Sequence, residues 1–506
     1  MKPDTGGQTA PGTGGQMAPD GGGQMAPDGG GQVRLDTGRQ LSAAPTPRYE
    51  RTARRAQADG RIPALSVALH RADREPWVFT VGESGNAAHP LTPGTRFRIG
   101  SVTKTFTAVL VMQARDEGLL DLDAPVSAYL GVPAHGDATV RRLLSHTAGF
   151  QREPHGDIWD TLVSPDAARL VAELDRAERV LPNARRFHYS NLGLAVLGQV
   201  VAKLRGGTWD EIVAERVLVP LGLAATTVAT PPEAAVGYVV DAYSDAARPE
   251  PPIELAGVAP AAQLWSTAGD MAKWAAFLSS PEVVDPDGRV LAAASVDEMR
   301  WPLTTTDEAL WGAGFGLGLI LMPEGRRVVH VGHDGAMPGF LAGVYGRRGG
   351  EGNPGALGCA VLGSSGTAGQ VNELVHELLR LTVELDPAEI RPWRIAPPAP
   401  RAYRSVLGRW WSEGSEFVFA WHDGQLQARL AEAPADRPPA IFQVLPDRPD
   451  VLRTVSGRET GELLRLTRDD AGEVVRMHWA TYRFRRFQDG FDGGPASAGP
   501  EPAPGD

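Results

Sequence analysis

The 506-residue chain is long enough for a large catalytic domain and a smaller partner, and its 42% hydrophobic and 22% charged residues are those of an ordinary soluble protein. A net charge of −11 argues against nucleic acid as the main ligand, because a phosphate-binding surface carries a basic excess. One cysteine, Cys359, excludes an intrachain disulfide and a thiolate metal cluster, and its apolar run Leu357 to Leu362 makes it a buried structural thiol.

The first elements in chain order carry little apolar surface. Gln8, Gln16, Gln24, Gln32 and Gln40 recur every eight residues in a Gly/Pro-rich background. Such a segment cannot offset its ordering entropy, so residues 1–47 read as a disordered leader. A charged-then-apolar signal segment is missing, and no window reaches the length of a membrane span, which points to the cytoplasm; export through another start site stays open. Order is expected from about Arg48. The stretches Ile62 to Leu69 and Trp77 to Val81 predict a strand pair.

A helical run begins at Ser101 and stays apolar nearly all round from Phe106 to Met112, with Gly118 as its stop, so it belongs in a buried helical layer. A second helix closes along Val140 to Phe150, and further helices are expected over 166–178, 192–205 and 267–278. From about residue 312 the pattern turns to strands at Phe315 to Ile320, Val328 to Val331, Phe340 to Tyr345 and Leu357 to Leu362, followed by a helix over 370–384. Strands from both chain ends around a run of helices imply an α+β domain over residues 48–386, with an antiparallel sheet, flanking helices and a large helical insert. Residues 387–400 form a Pro-rich linker. Hairpin signatures around His422-Asp423-Gly424-Gln425 and Asp469 to Glu473 make residues 401–488 a small all-β domain, and 489–506 a disordered tail.

Ser101-Val102-Thr103-Lys104 places a serine and a lysine on one helical face, one turn apart. A serine hydroxyl needs a neighbouring base to become a nucleophile. Only four of the 50 basic side chains are lysines (Lys2, Lys104, Lys203 and Lys273), the rest being arginines. Arginine cannot release its proton and a desolvated lysine can, so a lysine kept here fits a group meant to become neutral. Taken alone, the four residues fit equally an N-cap serine followed by a solvated lysine.

Two further stretches add to it: His188-Tyr189-Ser190-Asn191-Leu192-Gly193 ahead of a helix, and Gly332-His333-Asp334-Gly335-Ala336 between strands. With Ser101 to Lys104, in this order, they resemble the three signature motifs of the serine β-lactamase-like hydrolases. That family takes in class C β-lactamases, D-alanyl-D-alanine carboxypeptidases, D-aminopeptidases and related carboxylesterases. Leu144 to Phe150 and Leu264 to Met271 are similar to stretches of the class C-like branch.

The resemblance implies Ser101 as nucleophile, Lys104 as its base and Tyr189 as the phenol that relays a proton to the leaving group, with Lys104 expected to lower the phenol pKa. It implies Asn191 as a holder of Lys104 and of substrate, and backbone amides of Ser101 and Ala336 as the oxyanion hole. The third motif departs from the β-lactamase Lys-Thr-Gly: His333 is a weaker, pH-dependent charge, and Asp334 adds a negative one, which moves the reading away from a β-lactamase. Gly335 is expected to leave room for substrate along the strand edge.

Other features read more plainly. His146 is expected to cap a helix end, His376-Glu377 lacks the second histidine of a zinc-protease motif, and no Gly-x-Ser-x-Gly occurs. Trp159 and Trp311 are candidates for the pocket wall. The C-terminal domain resembles the lipocalin-like β domain of some relatives. The sequence thus describes a hydrolase of small-molecule esters, amides or peptide-like substrates acting through Ser101, with neither cofactor nor metal and with its oligomeric state open. A D-alanyl-D-alanine carboxypeptidase or β-lactamase, and an inactive binding protein on the same fold, are the alternatives.

Overall fold

The computed structural model describes residues 46–132, 135–182, 186–306, 309–325, 327–390, 392–435 and 437–488. The expected leader lies outside these residues except for 46 and 47, and the expected tail lies outside them entirely. Eight antiparallel strands form the central sheet: β1 Ala64–His70, β2 Trp77–Gly82, β3 Thr304–Thr305, β4 Gly314–Phe315, β5 Ile320–Pro323, β6 Val329–Met337, β7 Phe340–Arg348 and β8 Leu357–Gly363. Their spatial order is β2-β1-β8-β7-β6-β5-β4-β3, so the two chain ends meet at the β1–β8 pair. Both strands of that pair are buried along nearly their whole length, which is why they read as continuous apolar runs.

Helices α1 Thr46–Asp59 and α5 Gln370–Leu385 cover one face of the sheet. α5 turns Val371, Leu374, Val375, Leu378 and Leu379 inward at helical spacing. The sequence pattern did not reveal α1 as a helix, because it buries only Tyr49 and Ala53 and is otherwise polar. The other face carries the helical layer, with α4 Ala268–Ser279 directly on the sheet and α2 Thr103–Asp116 and α3 Asn191–Arg205 beyond it.

α2 is buried from Thr103 to Ala114, as its all-round apolar pattern predicts. A 3₁₀ turn over Gly100–Val102 precedes it, and Val102 in the N-cap position makes no side-chain cap bond. Ser101 therefore does not serve as a helix cap. Phe106 stacks on Trp274 of α4 at 3.9 Å, and Trp274 Nε1 donates to Thr105 Oγ1 at 2.8 Å, so α2 is fixed to the layer that lies on the sheet.

Several elements differ from expectation. The helix expected to run on to Phe150 covers only Val140–Leu144, and the 166–178 helix covers Ala167–Ala172 before a 3₁₀ turn. The expected strand Phe315 to Ile320 is a turn between β4 and β5; Leu317 and Leu319 are buried there, so the apolar run reflects core contact and not strand periodicity.

Beyond the linker, eight consecutive strands from Gly408–Ser412 to Tyr482–Phe484 form an all-β unit in simple up-and-down order. Trp411 and Arg485 exchange two backbone hydrogen bonds (2.8 and 3.0 Å), which brings the first strand against the end of the last. Strand number and order are those of lipocalin-type barrels. Alternate residues point inward, among them Trp410, Phe417, Phe419, Phe442, Trp479 and Phe484. The Asp423-Gly424 hairpin forms where expected, with φ +51° and +75°. Among the described residues no helix is long and apolar enough to cross a membrane.

Truncating Trp274 to alanine should cost about 3–5 kcal/mol, because it removes a stacked aromatic and a buried hydrogen bond together. The test is denaturation followed by far-ultraviolet circular dichroism at 222 nm, a signal dominated by the α-helices of the α+β unit.

Candidate active site

Ser101 reaches the floor of a cavity of about 630 Å³ lined also by Arg152, Glu153, Trp159, Asn191, Ala336 and Met337. Lys104, one turn further along, is fully buried. Its Nζ donates to Ser101 Oγ at 2.9 Å and to the Ala261 carbonyl at 2.8 Å. Burial lowers its pKa to about 7, with Glu153 opposing the shift and Arg152 adding to it. An amine poised near neutrality beside a hydroxyl can take that hydroxyl's proton.

Tyr189 lies on the other side, its phenol within hydrogen-bonding reach of the Ser101 side chain. The expected lowering of its pKa does not occur. Burial dominates and raises it, although Lys104 Nζ lies over the ring, 4.9 Å from its centroid. A phenol held neutral in this way is a proton donor in its resting form. Arg152 stacks on the same ring, also at 4.9 Å.

Asn191 is present but does not hold Lys104. Its Nδ2 donates to Glu153 Oε1 at 2.6 Å, and its buried Oδ1 has no hydrogen-bond partner. Burial raises the Glu153 pKa. Glu153 and Arg152 were missed in the sequence because Gln151-Arg152-Glu153-Pro154 has the composition of any surface loop; only the fold turns it toward Ser101. Trp159 joins the cavity wall, whereas Trp311 is not among the lining residues.

The remaining motif lies on β6. After Gly332 this strand loses its partner β5, so His333 to Met337 present an open edge to the Gly100–Val102 turn. A Cβ on Gly335 would stand 2.0 Å from the Ile99 carbonyl oxygen. The glycine therefore admits the backbone at Ile99, just ahead of the Ser101 turn, and not substrate as expected. Gly100 has φ +51°, and a Cβ there would meet Ala336 N at 2.6 Å and its O at 2.7 Å, so the polar backbone atoms of Ala336 face the Gly100–Val102 turn. The amides of Ser101 and Ala336 are thereby brought to one end of the cavity.

His333 is only 2% exposed and lies behind Tyr189, with ring centroids 6.0 Å apart. Burial, then the charge of Lys104, lowers its pKa to about 3, so it is a neutral imidazole near neutral pH and not the pH-dependent cation expected. Its Nδ1 donates to the Asp334 carbonyl. Asp334 points to the opposite face of the strand, beside Tyr345, where burial raises its pKa to about 6.

One group among the described residues has metal-ligand spacing: Glu324, His330 and His376, on the α5 side of the sheet. His330 Nδ1 is 2.8 Å from His376 Nδ1, and Arg347 donates to His330 Nε2 at 3.4 Å. A guanidinium only donates, so His330 Nδ1 carries the hydrogen shared with His376. Arg380 also holds Glu324 at 2.7 Å. A cation would have to displace that hydrogen against two guanidinium charges, and the cluster fits a hydrogen-bonded imidazole pair better than a metal centre.

An antiparallel sheet, a buried helical layer and a Ser-x-x-Lys pair at the start of the central helix together define a β-lactamase-type fold. Residues 49–368 match the β-lactamase family, and the chain belongs to it. Residues 399–486 match a domain of unknown function, DUF7586. Penicillin-binding protein 4 of Amycolatopsis lactamdurans is 32% identical over 345 residues, covering 61% of this chain and 84% of that protein. Beta-lactamase-like protein 2 of Dictyostelium discoideum is 29% identical over 252 residues, 46% of this chain, which spans only 45% of that relative. The crystal structure of a D-stereospecific amidohydrolase from Streptomyces sp. is similar with a TM-score of 0.54 at 25% identity, covering 65% of this chain and 97% of that one.

Two outcomes follow from the geometry. Because Lys104 accepts a proton only when neutral, kcat/KM should fall as pH drops through about 7, and Lys104→Arg should lose about a hundredfold or more at every pH. Gly335→Ala should push the β6 edge away from Ile99 and lower acylation while leaving the helical circular dichroism signal intact, measured as kcat/KM on an activated ester.

Proposed function

We propose that the protein is a serine hydrolase that cleaves esters or small amides through an acyl-enzyme on Ser101. The observation that carries this reading is the buried Lys104 Nζ, 2.9 Å from Ser101 Oγ, its pKa lowered by burial to about 7. In the proposed reaction Lys104 takes the Ser101 proton as Oγ attacks the substrate carbonyl. Negative charge that develops on the carbonyl oxygen is met by the amides of Ser101 and Ala336. The neutral Tyr189 phenol gives its proton to the departing alcohol or amine and is reprotonated by way of Lys104. Water then attacks the ester on Ser101 by the reverse proton path and releases the acid.

A small acyl group suits a cavity of about 630 Å³. The relatives include proteins named for penicillin binding and for amide hydrolysis, which supports an acyl-transfer chemistry without naming the substrate. A β-lactam or a D-alanyl peptide carries a carboxylate. With His333 neutral and turned behind Tyr189, that charge would have to be taken by Arg152 at the cavity rim, which makes neutral esters and amides the better fit.

Intact-protein mass spectrometry after incubation with a fluorophosphonate, and separately with benzylpenicillin, tests the assignment. A single adduct with the fluorophosphonate on the wild type and none on Ser101→Ala is expected. No adduct with either reagent, or equal labelling of the variant, removes the nucleophile from the scheme.

A further inference from the structure

None of the proposed chemical steps uses His146, yet it makes the contacts that hold Tyr189. The helix Val140–Leu144 stops just before it, and His146 takes φ +56°, a left-handed conformation uncommon outside glycine. It is 2% exposed. Its carbonyl accepts the His188 amide at 2.8 Å, and its ring Nδ1 accepts the Ser190 amide at 3.1 Å. The two residues that bracket Tyr189 are thus tied to the same histidine. Its ring also lies along the Tyr189 ring, with centroids 4.4 Å apart and planes 30° from parallel, while the edges of Phe187 and Phe315 close the other sides at 5.7 and 4.8 Å.

The hydrogen-bond chemistry fixes the tautomer. An amide N–H only donates, so Nδ1 offers its lone pair and the ring hydrogen sits on Nε2. Protonation of Nδ1 would turn the acceptor into a donor and break the link to Ser190. Burial, with Lys104 and His333 close by, holds the imidazole pKa well below its ordinary value and keeps the acceptor available. The helix-capping part expected of His146 is played by its backbone, whose left-handed turn lets its amide bond the Leu143 carbonyl at 3.3 Å and the Thr147 amide bond the Arg142 carbonyl at 2.9 Å, while its ring bonds a segment 44 residues further on.

We propose that His146 is a positioning residue that sets the Tyr189 phenol against Ser101, by accepting the Ser190 amide and by stacking along the tyrosine ring. This rests on the acyl-enzyme reading, in which Tyr189 protonates the leaving group. Misplacing that phenol by about an ångström should slow the departure of poor leaving groups most, because a good one leaves without help. A merely structural role for His146 would slow all substrates alike.

The test compares kcat/KM, which reports acylation, for an ethyl and a p-nitrophenyl ester of one short acyl group, in wild type, His146→Phe, His146→Asn and Tyr189→Phe. His146→Phe keeps a ring but has no acceptor, and should lose about tenfold or more on the ethyl ester with a clearly smaller loss on the p-nitrophenyl ester. Tyr189→Phe should show the same selectivity, more strongly. Asparagine tolerates the left-handed backbone and can place its amide oxygen near the Nδ1 position, so His146→Asn should keep the larger part of the wild-type ethyl-ester rate. If His146→Phe does not fold, His146→Gln, whose amide reaches toward the Nε2 position, must show the selective loss in its place. Equal loss on both esters, or His146→Asn falling as far as the variant without an acceptor, overturns the inference while the acyl-enzyme stands. A wild type that hydrolyses neither ester and forms no fluorophosphonate adduct defeats the hydrolase reading, and this inference with it.

Discussion

Taking the Lys104 amine out of water is the constraint on which the rest of the structure depends. A buried ammonium is expensive to hold, so the group is stable there only if it can become neutral or has good acceptors. Its bonds are to Ser101 Oγ and the Ala261 carbonyl. The second of these exists because residues 259–264 are fastened to α2: Thr107 donates to the Pro260 carbonyl at 2.6 Å, and the Leu264 amide donates to Thr103 Oγ1 at 3.2 Å. The short threonine hydroxyls of a helix buried on every side thus fix the segment that satisfies its lysine. The Phe106–Trp274 stack then carries the same helix to the layer that covers the sheet.

Low charge around that lysine follows from the same physics. His146 and His333 are both buried and both held neutral, so neither adds a positive charge beside the Lys104 amine. The ionic side chains that lie close, Arg152 and Glu153, stand at the cavity side and act on Lys104 in opposite senses. Tyr189 keeps its proton for the same reason that Lys104 gives one up: burial disfavours the charged form of each, and the charged form is the deprotonated one for a phenol and the protonated one for an amine. One desolvated site therefore shifts an amine and a phenol in opposite directions side by side.

Much of this was legible in the residues. The three motifs bear directly on the cavity or its support, and the all-round burial of α2 was predicted by its composition. The strands at 357–363 and the Asp423-Gly424 hairpin could be read because their cues are local: an unbroken apolar run and an obligatory positive φ. The polar helix at Thr46–Asp59, the broken run at Phe315 to Ile320 and the early stop at Leu144 could not, since each reflects what the segment packs against. Glu153 had no signal at all in its loop, and Gly335 was rightly singled out for the wrong neighbour, its missing Cβ making room for Ile99.

The sequence by itself determined the chemistry on offer: a hydroxyl and an amine one helical turn apart, a tyrosine and an asparagine two residues apart, and a lysine kept where arginine is the rule, because those depend on residue type and short spacing. Only the tertiary structure decided how these groups are charged and what they touch. A pKa depends on the dielectric and the partners that distant segments bring, and for Lys104, Tyr189, His146 and His333 those partners come from strands and loops tens to hundreds of residues away.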